Sequence, residues 1–278
     1  MAPVYDLHCH SDQSDGALSP EEVVIRAAER NVTCLALTDH DTINGLARAK
    51  QQSERTGINL VAGIEFSSQW MGKNVHIVGL NFDISNSSLQ QAVLSQERAR
   101  ESRAEIIATK LEKAGIASAL EGAKSYTNGG AVGRPHFARY LVEQGVVSTI
   151  SQAFKRYLGA GKMGDVKSNW PEIAEVVGWI TQAGGTAVLA HPAKYKMTRT
   201  KLCLLTEQFA DVGGGAIEVV SGKQPVGLAG NLAKIANQFK LAGSSGSDFH
   251  VPGQPWQELG CADRLPSTVQ PVWDLWSR

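Results

Sequence analysis

The sequence predicts an α/β fold: a parallel sheet, open or closed into a barrel, alternating with helices and carrying one helical insertion. Three observations support this. Short β-like runs alternate with helical stretches from residue 3 to residue 80 and again from residue 173. Between them the rhythm breaks, and the chain becomes polar, charged and helix-favouring. Six of the seven histidines fall within or just past the C-terminal end of a predicted strand. In parallel α/β architectures the βα loops converge at that edge and active sites assemble there.

In chain order, residues 3–8 read as the first strand. Ser19-Pro20-Glu21-Glu22 then opens a helix, with Ser as N-cap, Pro at the first helical position and Glu closing a capping box. Val23, Val24, Ala27 and Ala28 supply its apolar stripe. Residues 34–38 are the next strand, followed by a helix entered at Asp41 or Thr42 with Asp41 as its cap. Residues 60–64 and 75–80 are further strands. Helical stretches are expected near 87–113 and over 134–157, separated by the Gly-rich link Asn128-Gly129-Gly130. Alternation resumes with a helix at 173–183, strands at 186–190 and 216–220, a helix at 228–239 and a strand at 240–242. The domain reading is therefore a barrel built from 1–94 and 166–278, with 95–165 inserted over its mouth as a helical cap.

A chain of 278 residues with 42% hydrophobic content can bury a sizeable core. Its 27 basic residues balance 27 acidic ones, so any nucleic-acid substrate must be gripped by a local patch. Four scattered cysteines argue against a disulfide framework and fit a reducing compartment. No apolar run approaches the roughly 18 residues a membrane span needs, and the N-terminus lacks a secretory pattern. The expectation is a cytoplasmic protein with no membrane contact and no obligatory protein partner.

The chemistry lies in the histidines. His8 and His10 stand two apart at a strand end, so both imidazoles project to one side and Cys9 faces the core. Asp15 follows in a His-x-His-x4-Asp run. His40 ends the second strand inside Thr38-Asp39-His40-Asp41, where Asp39 would orient a ligand imidazole. Glu65 ends the third strand, His76 lies in the fourth, and later strands deliver His191, Asp248 and His250. Imidazole mixed with carboxylate suits Zn, Mn or Fe better than Mg or Ca. Nine ligands exceed the needs of one ion, so two or three ions sharing a bridging carboxylate are expected.

His8-Cys9-His10-Ser11 with Asp15-Gly16, Thr38-Asp39-His40-Asp41, Gly63-Ile64-Glu65, His76, Ala190-His191-Pro192 and Gly246-Ser247-Asp248-Phe249-His250 resemble the motifs of the PHP (polymerase and histidinol phosphatase) superfamily. The resemblance covers nearly the whole chain. It implies a distorted (β/α)7 barrel with three divalent ions, manganese foremost and iron or zinc as alternatives. By motif, His8, His10, Glu65 and Asp248 would hold one ion. Glu65 would bridge to a second ion held with His76 and His191, and Asp15, His40 and His250 would hold a third.

The Asp15-Gly16 element and the insertion resemble the branch of 3′,5′-nucleotide bisphosphate phosphatases and 5′→3′ exoribonucleases. There Gly133-Arg134-Pro135-His136 resembles a phosphate-binding element, followed by Gly161-Lys162. Arg134 can grip phosphate with its planar fork, with His136 and Lys162 as further donors. The implied substrate is a nucleotide bisphosphate or a short 5′-phosphorylated RNA or DNA. The implied nucleophile is a metal-held hydroxide, with Asp248 or His191 as candidate leaving-group acids. The alternatives are a histidinol-phosphate-type phosphatase, which the insertion disfavours, and a metal-binding module without catalysis. One departure touches specificity: residues 220–224 lack the aromatic and histidine often seen there in relatives.

Overall fold

A computed structural model describes residues 3–166 and 170–276. Its seven strands form one sheet in chain order. β1 (Tyr5–Asp6) pairs in parallel with β2 (Cys34–Leu37), and β2 with β3 (Asn59–Trp70). The crossovers are α1 (Pro20–Glu29) and α2 (Leu46–Thr56). α1 starts as expected, with the Ser19–Glu22 capping box formed in both directions. α2 starts later than expected, at Leu46 after Gly45 rather than at Asp41 or Thr42.

The sheet is mixed rather than parallel. β3 runs on past Glu65 and returns through Met71-Gly72 into β4 (Lys73–Leu80), antiparallel to it. Met71 and Gly72 both have positive φ, at 47° and 70°, the conformation of a two-residue hairpin whose twist matches its strands. Two residues leave no room for the helical crossover a parallel neighbour requires. β5 (Thr186–Leu189) is again antiparallel to β4. β6 (Ala216–Ser221) and β7 (Ala242–Gly246) then continue in parallel. The Leu7 N–H donates to the Ser245 carbonyl at 3.0 Å, Asp248 N–H to His8 at 2.8 Å and His10 N–H to Phe249 at 2.9 Å. These bonds bring the last strand's exit back to the first and close the barrel.

After β4 comes α3 (Ser87–Lys113), capped by Asn86. Its first half buries Leu89, Ala92 and Val93 in the barrel core. Its second half buries Ala104, Ile107, Ala108 and Leu111 in a separate apolar cluster with Phe137, Leu141 and Leu158. α4 (Ala119–Lys124), α5 (Arg134–Glu143) and α6 (Ile150–Ala153) pack around that second cluster. The stretch expected as one helix over 134–157 is broken after α5, where Gly145 turns the chain at φ +67°. It resumes at the Thr149 cap and runs into a π turn, Phe154–Leu158. α7 (Ile173–Gln182), α8 (Arg199–Asp211) and α9 (Leu228–Gln238) cover the remaining barrel wall.

Candidate metal centre

The strand ends deliver nine side chains to one place, and Glu65 lies at its middle. β3 carries Glu65 inward, and the antiparallel register sets Ser67 opposite His76, so His76 sits diagonally across from Glu65 on the same face. The Glu65 carboxylate lies 2.9 Å from His76 Nδ1 and 2.9 Å from His191 Nε2 on one oxygen. The other oxygen is 3.0 Å from His40 Nδ1, 3.3 Å from His8 Nε2 and 3.3 Å from His10 Nε2. Asp248 lies 3.4 Å from His10 and 3.5 Å from His8. Asp15 lies 3.4 Å from His250 and 3.8 Å from His40.

Four groupings in this cluster have ligand atoms within 4.8 Å of one another: His10–Asp15–His40–His250, His8–Glu65–His191, His8–His10–Asp248 and His40–Glu65–His76. Glu65 belongs to two of them, at the cluster's centre. The third set implied by the motifs (Asp15, His40, His250) is found together, joined by His10.

The donor set fits divalent cations. His8 Nε2, both His10 ring nitrogens, Asp15 Oδ1, His40 Nδ1 and Glu65 Oε2 are buried without a hydrogen-bond partner. Buried polar atoms are seldom left so. Burial alone would raise the carboxyl pKa of Glu65, Asp15 and Asp248, yet the imidazoles around them hold all three well below the ordinary range. Burial likewise opposes a charged His250, but Asp15 and Asp248 lift it to about 9. Burial also opposes a charged His8, and Glu218, Glu65 and Asp248 overrule it. The pocket therefore calls for positive charge. Cations supply that charge and satisfy the orphaned donor atoms together.

Residues 6–185 match the model of the PHP domain. The chain belongs to the PHP domain family. It is 45% identical to the 5′-3′ exoribonuclease Rnm of Escherichia coli K12, over all of this chain and 95% of that protein. It is 43% identical to a 3′,5′-nucleoside bisphosphate phosphatase of Chromobacterium violaceum, over 96% of this chain and 94% of that one. An amidohydrolase structure from C. violaceum, with sulfate bound and no metal, superposes with a TM-score of 0.92 at 42% identity. That superposition covers 98% of this chain and 95% of the other. Among the described residues, no helix of this PHP chain is long and apolar enough to cross a membrane.

Several residues that shape this PHP site escaped sequence reasoning. Glu218, buried in β6, sits 3.1 Å from His8 Nδ1 and accepts the His191 backbone N–H at 2.5 Å. A β-bulge lies between Glu218 and Val220, and bulges re-aim side chains beside active sites. The signal was present: a lone acid in the otherwise apolar run Ala216-Ile217-Glu218-Val219-Val220. Lys194 forms an ion pair with Asp248, and Gln257 donates to Asp248 Oδ2 at 3.3 Å. The Tyr195 hydroxyl accepts the His76 N–H at 2.9 Å. His191 and Asp248 both have positive φ, 26° and 55°, sparsely populated for non-glycine residues and typical of functional sites.

Two acids have roles other than those expected. Asp39 touches no ligand imidazole. Its carboxylate accepts Ser11 N–H at 2.7 Å, Ser11 Oγ–H at 2.6 Å and Ser14 Oγ–H at 2.7 Å, which shapes the loop that presents Asp15. Asp41 caps no helix. It accepts from Ser67 N–H at 2.6 Å, Gln96 Nε2 at 3.1 Å and Arg100 Nε at 2.5 Å, tying α3 to the barrel. Cys9 is buried as expected, its thiol donating to the Ala36 carbonyl at 3.3 Å.

The insertion residues separate in kind. Arg134 lines a cavity of ≈ 430 Å³ together with Lys73, Asn74, Lys194 and Tyr195, so its cavity reaches the side chain that touches Asp248. His136 is buried and its Nδ1 accepts the Gly133 N–H at 2.9 Å. Burial, with Arg139 and Arg100 nearby, lowers its pKa to about 4. Its neutral ring therefore carries its proton on Nε2. Lys162 is exposed, and its backbone N–H closes a turn onto Gly159 at 3.0 Å.

Proposed function

We propose that this chain is a metal-dependent phosphoesterase that hydrolyses the 3′-phosphoester of 3′,5′-nucleotide bisphosphates and removes nucleotides from the 5′ end of short 5′-phosphorylated RNA. Both reactions cleave an ester at a 3′ oxygen beside a recognised 5′-phosphate. The observation that carries the reading is Glu65, ringed by five imidazoles, beside a cavity lined by Arg134, Lys73 and Lys194. The names of relatives 43–45% identical over nearly the whole chain support it.

His8, His10, Asp15, His40, Glu65, His76, His191, Asp248 and His250 would hold the ions, three in number with manganese foremost. When bound, such ions supply Lewis acidity and an activated water. The protein's own groups do the rest. Glu218 fixes the His8 ring, and Lys194 and Arg134 draw an anion to the mouth of the site. Asp248 or His191 would take a proton from the attacking water and pass it to the departing 3′ oxygen, with Lys194 and Gln257 holding the Asp248 carboxylate in place. Residues 95–165 act as a cap that reads the retained phosphate.

The test is a competition assay with Mn2+. 3′-Phosphoadenosine 5′-phosphate and a 5′-phosphorylated oligoribonucleotide should be turned over well ahead of histidinol phosphate, and His8→Ala should abolish both reactions. A preference for histidinol phosphate would overturn the substrate assignment. Bound metal without turnover of any phosphoester would overturn the enzymatic one.

A further inference from the structure

We infer that Trp256, in the loop after β7, is the platform on which the nucleobase immediately 3′ of the cleaved bond stacks when the substrate is RNA. The inference rests on the phosphoesterase reading above. It names a feature that serves RNA and not a nucleotide bisphosphate, which has no base at that position.

Trp256 is the exception among the six tryptophans. Trp70 and Trp276 donate their indole N–H groups to Gln208 and Thr186. Trp170 lies beneath Arg100 and Arg103, Trp179 meets Phe66 edge-on, and Trp273 stacks on Tyr5. Trp256 is 55% exposed, and among the described residues its indole has no hydrogen-bond, ring or cation partner. A single exposed apolar side chain is ordinary on a protein surface. Its position is what points to substrate.

Gln257, the next residue, donates its amide to the Asp248 carbonyl at 3.0 Å and to Asp248 Oδ2 at 3.3 Å. Consecutive Cα atoms are about 3.8 Å apart, so Trp256 stands beside the ligand cluster on the rim of the mouth. The loop after β6, residues 222–227, has no aromatic of its own, and Trp256 is tied to it by the backbone. Lys223 N–H donates to the Trp256 carbonyl at 2.7 Å, and a Cβ on Gly222 would stand 2.4 Å from that oxygen. The backbone is thereby anchored while the ring stays open. The insertion leaves this rim clear. Its hydrogen bonds to the barrel fall on the β1 and β2 loops and on β3, as from Asn128 to Asp12, Arg139 to Asp15, Arg100 to Asp41 and Arg100 to Ser67. Among the described residues none reaches the loops after β6 and β7. A strand whose first phosphate is held under the cap therefore has its open path across these two loops. Every base presents a π-face, so stacking there tolerates any sequence. Lys223 is exposed and paired with the exposed Asp263 at 3.2 Å, a weak pair that a phosphate of the outgoing strand can replace.

Three substrates separate base stacking from the rest of binding: 3′-phosphoadenosine 5′-phosphate, a 5′-phosphorylated diribonucleotide, and the same dinucleotide with its second base removed. With Mn2+, Trp256→Ala should raise KM for the intact dinucleotide about 10-fold at little change in kcat. KM for the other two should stay as in wild type. Trp256→Phe, which keeps a ring, should recover part of the loss. A binding measurement needs no turnover. In metal-free protein the intact dinucleotide should quench tryptophan fluorescence more than the abasic one, and Trp256→Phe should remove that difference. Equal KM values for the intact dinucleotide in wild type and Trp256→Ala would overturn the inference, as they would if the exposed ring served a protein partner instead. Equal losses on all three substrates would overturn it too, by showing that Trp256 acts through Asp248. If wild type cleaves none of the three, the functional reading fails and quenching alone decides the stacking: an equal response to both dinucleotides sinks it.

Discussion

Glu218 shows how much of this site depends on residues that hold no ion. Its carboxylate touches the far nitrogen of the His8 ring and the backbone of His191, so it fixes two proposed ligands from two strands. Such outer partners set tautomer and ring direction. Glu218→Gln should lower metal affinity or activity about 10–100-fold while leaving the fold intact. Metal content after dialysis, read beside circular dichroism, checks this. A variant with full metal content and activity would show that His8 needs no such support. At this scale the sequence was legible where chemistry is concentrated. His8 and His10 alternate about an inward Cys9, and strand-end placement brought His40, His191 and His250 to one cluster. It was less legible for Asp39 and Asp41. A local rule makes Asp41 an N-cap, but its donors come from Ser67, Gln96 and Arg100, far along the chain. Only tertiary structure brings such donors together.

Among the elements, the β3–β4 hairpin was the part least visible in advance. Ser67-Ser68-Gln69 lies beyond the strand expected over 60–64, yet it pairs with His76, Val75 and Asn74. Its polarity suits a face that turns toward Gln96 and Arg100 rather than toward an apolar core. The helical break after α5 was missed for a related reason, because one glycine with positive φ outweighs ten residues of helix propensity. β7 rests on a tighter constraint. A Cβ at Gly246 would stand 2.4 Å from the His8 Cβ and 2.6 Å from the His8 nitrogen, so the strand passes His8 only because residue 246 has no side chain. Gly246→Ala should destabilise the protein by about 1–3 kcal/mol and lower metal occupancy by displacing His8. Urea unfolding with metal analysis reads both, and an unchanged midpoint would mean that the strand can move aside at no cost.

For the molecule as a whole, stability and the metal centre are coupled. Six imidazoles and three carboxylates crowd a largely buried pocket, and several of their ligand atoms lack partners. Cations that bind only the folded state stabilise it by about 2.7 kcal/mol at one hundred times Kd. Chelation should therefore lower the melting temperature by about 5 °C or more, and manganese should restore it. Equal melting curves with and without chelator would contradict the coupling. The barrel class and the gathering of these side chains in one place could be read from the sequence because strand–helix alternation and strand-end histidines are local patterns. The reversal of β4 and the sharing of α3 between two apolar clusters depend on contacts between distant segments. The closure of the barrel has a consequence for biosynthesis. The bond from Asp248 N–H to the His8 carbonyl joins one of the earliest ligands to be translated to one of the last. Long-range pairings of this kind form late. A nascent chain would thus carry most of its histidines out of the ribosome as an open, incomplete chelator, and metal loading would wait for the last ninth or so of the polypeptide. A translation-arrested chain ending before β7 should fail to retain manganese through desalting, whereas the released full-length chain should keep it.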